Sequence, residues 1–579
     1  MNKLSLLFYV SLLLAALPVN AADRSGTVIN LADYLSEAGK NADATSAVRR
    51  ALTDCKKTKA AKLIIPEGTY HFYPDMATET YFFISNNDEG LKRIAFFLDG
   101  FSDFVIDGQG SSFIFHGYIC PFIINRSANI VLRNLRVDWE RTFHSEAKII
   151  SVYKDSMDVS FSNQYPYSIE NDLLFFKDSS GVAYPYKSLL EFDSKKRETA
   201  FMARDYYTGP YVKVKKLADN SVRLFVTGIT ASEGNIMTFA PAARSCPAIT
   251  LSASDNIEVK DITILHAGGM GVIAQMSSNI SLQRVSVTPL AGRIISTTAD
   301  ATHFANCYGK ITIDSCLFEN QKDDATNIHG IYARVESQSD RNSIIVRLVH
   351  HQQYGQQLFA VGDSIEFVKN NSLVTYYHTR VDSANVINKE LVQLFVSGLV
   401  PDKSEGNVVA TLKHPEVLIS NCTIRNNRAR GLLLGSRGST IIKGNYFHTP
   451  GAAILFEGDA NYWFEQSGVR NVTITENVFE NCNYGVWGNA LIQVASGIKE
   501  ALRSESRYNR GIYVHHNIIR RFDPRLVNIY SVKGFEFYNN KIIDSKDYPN
   551  TYQAALPFVI THSDGVKLDS IYSSTMKSN

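Results

Sequence analysis

Two stretches of the 579-residue chain carry one repeated pattern: Ala299-Asp300-Ala301-Thr302-His303-Phe304 and Asp323-Asp324-Ala325-Thr326-Asn327-Ile328. If the step from 300 to 324 is one turn of a coil, Asp300 stacks on Asp324 with Asp323 beside it. Hydrolysis of a glycosidic bond needs such a set. One carboxyl group protonates the leaving oxygen and another activates water; where configuration inverts, the two stand roughly 6.5–9.5 Å apart. Crowding also helps, because like charges raise one pKa and keep an acid protonated near neutrality. On this reading Asp300 and Asp324 hold the water and Asp323 donates the proton. Two other readings stay open. Asp-Asp pairs commonly cap backbone amides in turns, and three carboxylates can bind calcium. The third acid, one coil away, shifts the balance from a structural to a functional reading, with calcium ranked second and no cofactor expected.

Phe304 and Ile328 are expected to point into the coil, which sends His303, Asn327 and His329 to its outer face as candidate contacts for sugar hydroxyls. Arg430 aligns near Asp324 one coil onward, and Glu457 one coil after that. Arg428, Arg430 and Arg437 read as a basic cluster that either pairs with the acids or binds substrate. Trp463, in the irregular stretch Asp459-Ala460-Asn461-Tyr462-Trp463, is the candidate stacking platform. Galactose has an apolar C–H face, because its C4 hydroxyl is axial, and such a face stacks on indole. Trp139 and Trp487 read as packing between coils.

The elements that must position these residues are written as a repeat. A nine-residue phrase occupies 129–137, 256–264, 279–287, 310–318, 416–424, 439–447, 471–479, 511–519 and 534–542. Positions two, four and nine are apolar, apart from Thr440 at position two, so each copy is a short strand with one buried face. Position seven runs Leu135, Ile262, Val285, Cys316, Cys422, Asn445, Asn477, Asn517 and Asn540, which predicts side-chain ladders inside a stack. Several copies follow one another at the same interval (256 to 279, 416 to 439, 511 to 534), the length of one solenoid turn. The expected fold is all-β: a right-handed parallel β-helix whose neighbouring turns bring equivalent side chains about 4.8 Å apart.

Asp43 to Lys56 reads as an amphipathic helix with Val48, Ala51, Leu52 and Cys55 on one face, a cap for the open end of the first coil. The phrase is interrupted twice, between the copies that start at 129 and 256 and between those that start at 310 and 416. Both gaps are rich in apolar, β-branched segments and are read as small inserted β-barrels that wall the site. The expected order is a signal peptide (1–22), the cap and first coils (23–141), a first β-barrel (142–243), coils bearing the aspartates (244–330), a second β-barrel (331–412), and C-terminal coils and tail (413–579).

Lys and Arg total 59 against 57 Asp and Glu, which argues against a nucleic-acid or anionic-membrane partner. Residues 1–22 show Lys3, an apolar run too short to span a membrane, and Val19-Asn20-Ala21 as a small-x-small cleavage site. The expectation is an exported, soluble periplasmic or secreted bacterial protein with no membrane insertion. Seven cysteines without a C-x-x-C pair point to few or no disulfides and no zinc. The β-rich inserts are suited to mediate a homodimer.

The ordered elements resemble glycoside hydrolase family 110, the exo-acting inverting α-1,3-galactosidases that remove terminal galactose from blood-group-B-type glycans. The resemblance rests on the leader, the cap from Asp43 to Tyr70, Val105-Ile106-Asp107-Gly108-Gln109-Gly110, Asn134-Leu135-Arg136-Val137-Asp138-Trp139, Asp300 and Gln321-Lys322-Asp323-Asp324. It runs over nearly the whole mature chain. It implies a β-helix with two β-barrel inserts, Asp300, Asp323 and Asp324 as catalytic acids, and no catalytic metal. Polygalacturonases arrange three aspartates similarly, but their Arg-Ile-Lys motif for uronate is absent. Three classes therefore stand in order: a glycan-cleaving exo-α-galactosidase; a calcium-dependent lyase or polygalacturonase-like glycosidase; and a non-catalytic glycan-binding β-helix.

Overall fold

The computed structural model describes residues 26–35, 42–178, 180–209, 211–241, 243–570 and the backbone of 576–578. The expected signal peptide lies outside the described residues. The nine phrases stack in register as parallel strands. Ile257, Val259, Ile262 and Ile264 face Ile280, Leu282, Val285 and Val287, and Ile313 faces Ile419 across the second interruption. Among the described residues, twenty strands form this parallel sheet and fourteen a second. The apolar positions of both sheets meet in one continuous core. The parallel β-helix expected from the repeat is thus the fold.

Each phrase contains a bend. Its sixth residue takes φ between 51° and 68° in all nine copies, from Arg284 to Gly444. That left-handed conformation suits Gly and Asn but is unfavourable for Arg284, Glu476 and His516, so stacking against neighbouring coils must hold it there. The bend turns position seven inward. Asn477 Oδ1 accepts both the backbone N–H and the side-chain amide of Asn445, each at 2.9 Å. Asn517 and Asn540 repeat the arrangement one and two coils on. Earlier in the column, the N–H of Cys316 meets Cys422 Sγ at 3.4 Å. All seven cysteines are buried free thiols.

A helix over Thr45–Thr58 closes the first coil. Asp43 accepts the N–H of Thr45 at its start, and Val48, Ala51, Leu52 and Cys55 are buried, as the periodicity predicts.

Both interruptions are antiparallel β structures fastened to the coil by buried polar contacts. The first has an eight-stranded sheet running from Ser145–Val152 to Ile236–Pro241. Its Glu146 accepts the N–H groups of Ile294 and Ile295 at 2.9 and 3.0 Å. The second is a closed six-stranded barrel with its own core around Ile344, Phe367 and Leu394. Its fully buried Glu366 accepts Arg437 Nη1 and Gln466 Nε2, each at 2.8 Å. This corrects the reading of Arg437 as part of a cluster with Arg428 and Arg430: its guanidinium clamps the second insert to the coil instead.

The ladder is open to a direct test. Asn477→Ala leaves two buried Asn445 donors without their acceptor, a cost of about 1–3 kcal/mol. The midpoint of thermal unfolding should fall by about 1–3 °C; an unchanged midpoint would contradict the ladder.

Candidate active site

The strands Thr302–Ala305 and Thr326–Ile331 are parallel neighbours with His303 opposite Asn327 and Phe304 opposite Ile328. Just before them the N–H of Ala301 donates to the carbonyl of Asp324 at 3.0 Å. The step from 300 to 324 is therefore one coil, and carboxyl oxygens of Asp300, Asp323 and Asp324 lie within 4.8 Å of one another. Phe304 and Ile328 face the core. His303, Asn327 and His329 leave the coil on its other side, yet they are buried. The second insert grows from the end of this strand, and Glu465–Gln466 pairs with Gly330–Ile331, so this part of the coil surface is covered.

Three guanidinium groups face the acids. Asp323 Oδ1 receives Arg428 Nη1 and its Oδ2 receives Arg244 Nη2, both at 2.9 Å. Asp324 receives Arg430 Nη2 at 2.9 Å and the Arg430 backbone N–H at 3.0 Å. Behind them, Asp205 of the first insert accepts Lys322 Nζ and Arg428 Nη2, each at 2.7 Å. The pairing is uneven, and the protonation follows it. Burial works to raise the Asp323 pKa, but Arg428, Arg244 and Arg430 outweigh it and hold the carboxyl below its ordinary value. Burial and the charge of Asp323 push Asp300 up to about 8. Burial, with Asp323 and Asp300 nearby, pushes Asp324 up to about 8 despite Arg430. This ordering runs opposite to the expected one, in which Asp323 was the proton donor. The insert supplies the reason: Arg244 and Asp205 belong to it or its exit, and no repeat in the sequence points to either.

A histidine chain orients Asp300. His329 Nδ1 lies 2.7 Å from the carbonyl oxygen of Gly330, which can only accept, so Nδ1 carries the proton. In the neutral chain His329 Nε2 then accepts from His303 Nε2 at 2.9 Å. His303 Nδ1 is left to accept, and Asp300 Oδ2 stands 2.5 Å away as its donor. Burial and His329 hold the His303 pKa well below the usual histidine range, in keeping with a neutral ring. His329 Nε2 also lies 3.5 Å from Glu465 Oε1.

The remaining candidates sit around this centre. Glu457 is pushed up to about 7 by burial, against the pull of Arg430. Asp459 gathers the N–H groups of Asn461, Tyr462 and Trp463, which shapes the irregular loop. Trp463 is half-exposed, its ring 4.9 Å from His350 of the second insert. Asn327 Oδ1 and Arg430 Nε are buried without a hydrogen-bond partner. Trp139 packs inside the coil beside Phe115. Trp487 does not fit the same reading: its ring lies 5.3 Å from the Arg428 guanidinium, and it packs against the first insert.

The donor set is a poor fit for calcium, which takes six to eight oxygen ligands. Both oxygens of Asp323 and both of Asp324 already accept from cationic or amide donors. Chelator treatment should therefore leave activity and thermal midpoint unchanged. Loss of activity restored by added Ca²⁺ would overturn this.

The chain matches three family models: GLAA-B beta-barrel domain I over residues 145–237, GLAA-B beta-barrel domain II over 343–408, and a right handed beta helix region over 407–501. It is 34% identical to alpha-1,3-galactosidase A of Shewanella woodyi, across 92% of this chain and 89% of that protein. It is 32% identical to alpha-1,3-galactosidase B of Parabacteroides distasonis, across 88% of this chain and 87% of the relative. Among solved structures, the Agl-KA catalytic domain aligns over 96% of this chain and 68% of its own, with 10% identity and a TM-score of 0.40.

Proposed function

The chain belongs to the α-1,3-galactosidase family, glycoside hydrolase family 110, and from that premise we propose that it is an exported exo-acting glycosidase. It releases terminal α-1,3-linked galactose, with inversion, from blood-group-B-type glycans and linear α-galactosyl chains. The observation that carries the chemistry is the divided protonation of three adjacent carboxyl groups.

Asp323 is the base. It is ionised and, at 15% exposure, the most accessible of the three. The proton for the leaving oxygen comes from the Asp300–Asp324 pair, where His303 and His329 hold Asp300 in its protonated orientation. Asp300 and Asp324 are nearly closed to solvent, so the pocket suits a chain end rather than a chain interior. The unpartnered Asn327 Oδ1 and Arg430 Nε are available to galactose hydroxyls. Glu457 lines the same side, and Trp463 offers a half-exposed stacking face. One oxygen from each carboxyl group lies within 4.8 Å of the others, closer than the roughly 6.5–9.5 Å between the groups of a usual inverting pair. Inversion is proposed from the family premise, with Asp323 activating water rather than attacking the sugar.

The roles separate by leaving group. An aryl α-galactoside with an activated leaving group needs little protonation, so Asp300→Asn and Asp324→Asn should retain much of their rate on it while losing roughly 10²–10⁴-fold on α-1,3-galactobiose. Asp323→Asn should lose both. Selective survival of the aryl substrate in Asp323→Asn would restore Asp323 as the donor. NMR of the first product should show β-galactose; α-galactose would exclude inversion.

The pH profile follows from the same shifts. Activity should fall at high pH as the Asp300–Asp324 proton is lost near 8. On the acid side it should fall only below the ordinary carboxylate range, as Asp323 takes a proton. An acid limb near pH 6 or above would contradict the role given to Asp323.

A further inference from the structure

The first insert carries a cleft that the chemistry above leaves unused. Its volume is about 600 Å³, within the range of sites that enclose small ligands. Asp205, Arg204 and Lys213 line it together with Tyr207, Tyr211 and Phe225. The exposures of these three aromatic residues are 70%, 38% and 45%. Tyr206 beside them is pinned, its hydroxyl accepting the N–H of Thr230 at 3.0 Å. Aromatic rings left uncovered together in a concavity mark a ligand surface more than a packing residue, and flat aromatic faces suit the C–H faces of pyranose rings.

The cleft adjoins the carboxylates. Arg428 Nη2 bonds Asp205 at 2.7 Å, while Nη1 of the same guanidinium bonds Asp323 at 2.9 Å. A single planar group thus separates Asp205 of the cleft from the most accessible catalytic acid. The charge of Asp205 is already met by Lys322 and Arg428, and the Arg204 guanidinium lies 5.5 Å from the Tyr206 ring; with Lys213 beside them, the uncovered rings offer stacking faces and the cations offer donors to sugar hydroxyls. A pocket that takes one terminal sugar at buried acids must let the rest of the glycan leave on its open side, and Asp323 marks that side.

We propose that this cleft binds the leaving-group saccharide, the neutral sugar units that remain once terminal galactose is removed. The proposal rests on the glycosidase reading. A Tyr207→Ala/Phe225→Ala double variant tests it, since both side chains are exposed and outside the core; circular dichroism checks the fold. On a linear α-1,3-galactosyl pentasaccharide the variant should show KM raised about tenfold, the loss expected from removing one or two stacking faces. Its kcat should hold, and kcat/KM on an aryl α-galactoside should stay within about twofold. Equal losses on both substrates, or an unchanged pentasaccharide KM, would overturn the cleft. If the wild-type protein cleaves neither substrate, the glycosidase reading fails, and calorimetry with the tetrasaccharide that lacks only the terminal galactose then judges the cleft alone. Binding by wild type that the variant loses supports it, and no binding by wild type refutes it.

Discussion

Three carboxyl groups brought within 4.8 Å of one another in a buried site repel each other's charge. At an effective dielectric constant near 20, each ionised pair at that distance costs about 3 kcal/mol. The surrounding structure resolves this in two ways. Guanidinium groups from three positions, Arg244, Arg428 and Arg430, face the cluster. Because two of them converge on Asp323, the negative charge settles there, and the proton stays with Asp300 and Asp324. On the proposed reading an acid and a base then stand side by side, an asymmetry that three equivalent aspartates would lack.

That asymmetry requires rigid placement, and the coil supplies it. Backbone bonds such as Ala301 N–H to the Asp324 carbonyl fix one acid over another. The inserts add what a bare solenoid wall lacks, namely depth and sidedness. Glu465–Gln466 pairs beside His329, and the outward-facing histidines form a buried, hydrogen-bonded pair. The first insert brings Asp205 against Arg428, and with it an aromatic cleft. Buried ion pairs such as Glu366–Arg437 are costly to desolvate, but a misplaced insert would leave one charge unpaired, so they favour a single docking geometry.

The coil was legible because a β-helix is nearly one-dimensional: each turn contacts its neighbours, so the core is written as a local period. The same period paired Asp300 with Asp324, and Arg430 with Asp324 once the second interruption is set aside. The left-handed bend at position six was less visible, since Asn134 and Gly444 signal it but Arg284 and Glu476 do not. Arg437 shows the limit of reading proximity from sequence. It lies only seven residues from Arg430, yet it points to another partner.

Residue order alone thus determined the winding, the capping helix and the gathering of three aspartates, because each follows from spacing along a regular coil. Only the tertiary structure decided which aspartate holds the charge, that the histidines are buried, and that Trp487 lies over Arg428 rather than between coils. Those outcomes depend on contacts between the coil and two inserted β structures. Such contacts have no period, and the electrostatic field at a buried carboxyl group is set by every charge folded around it.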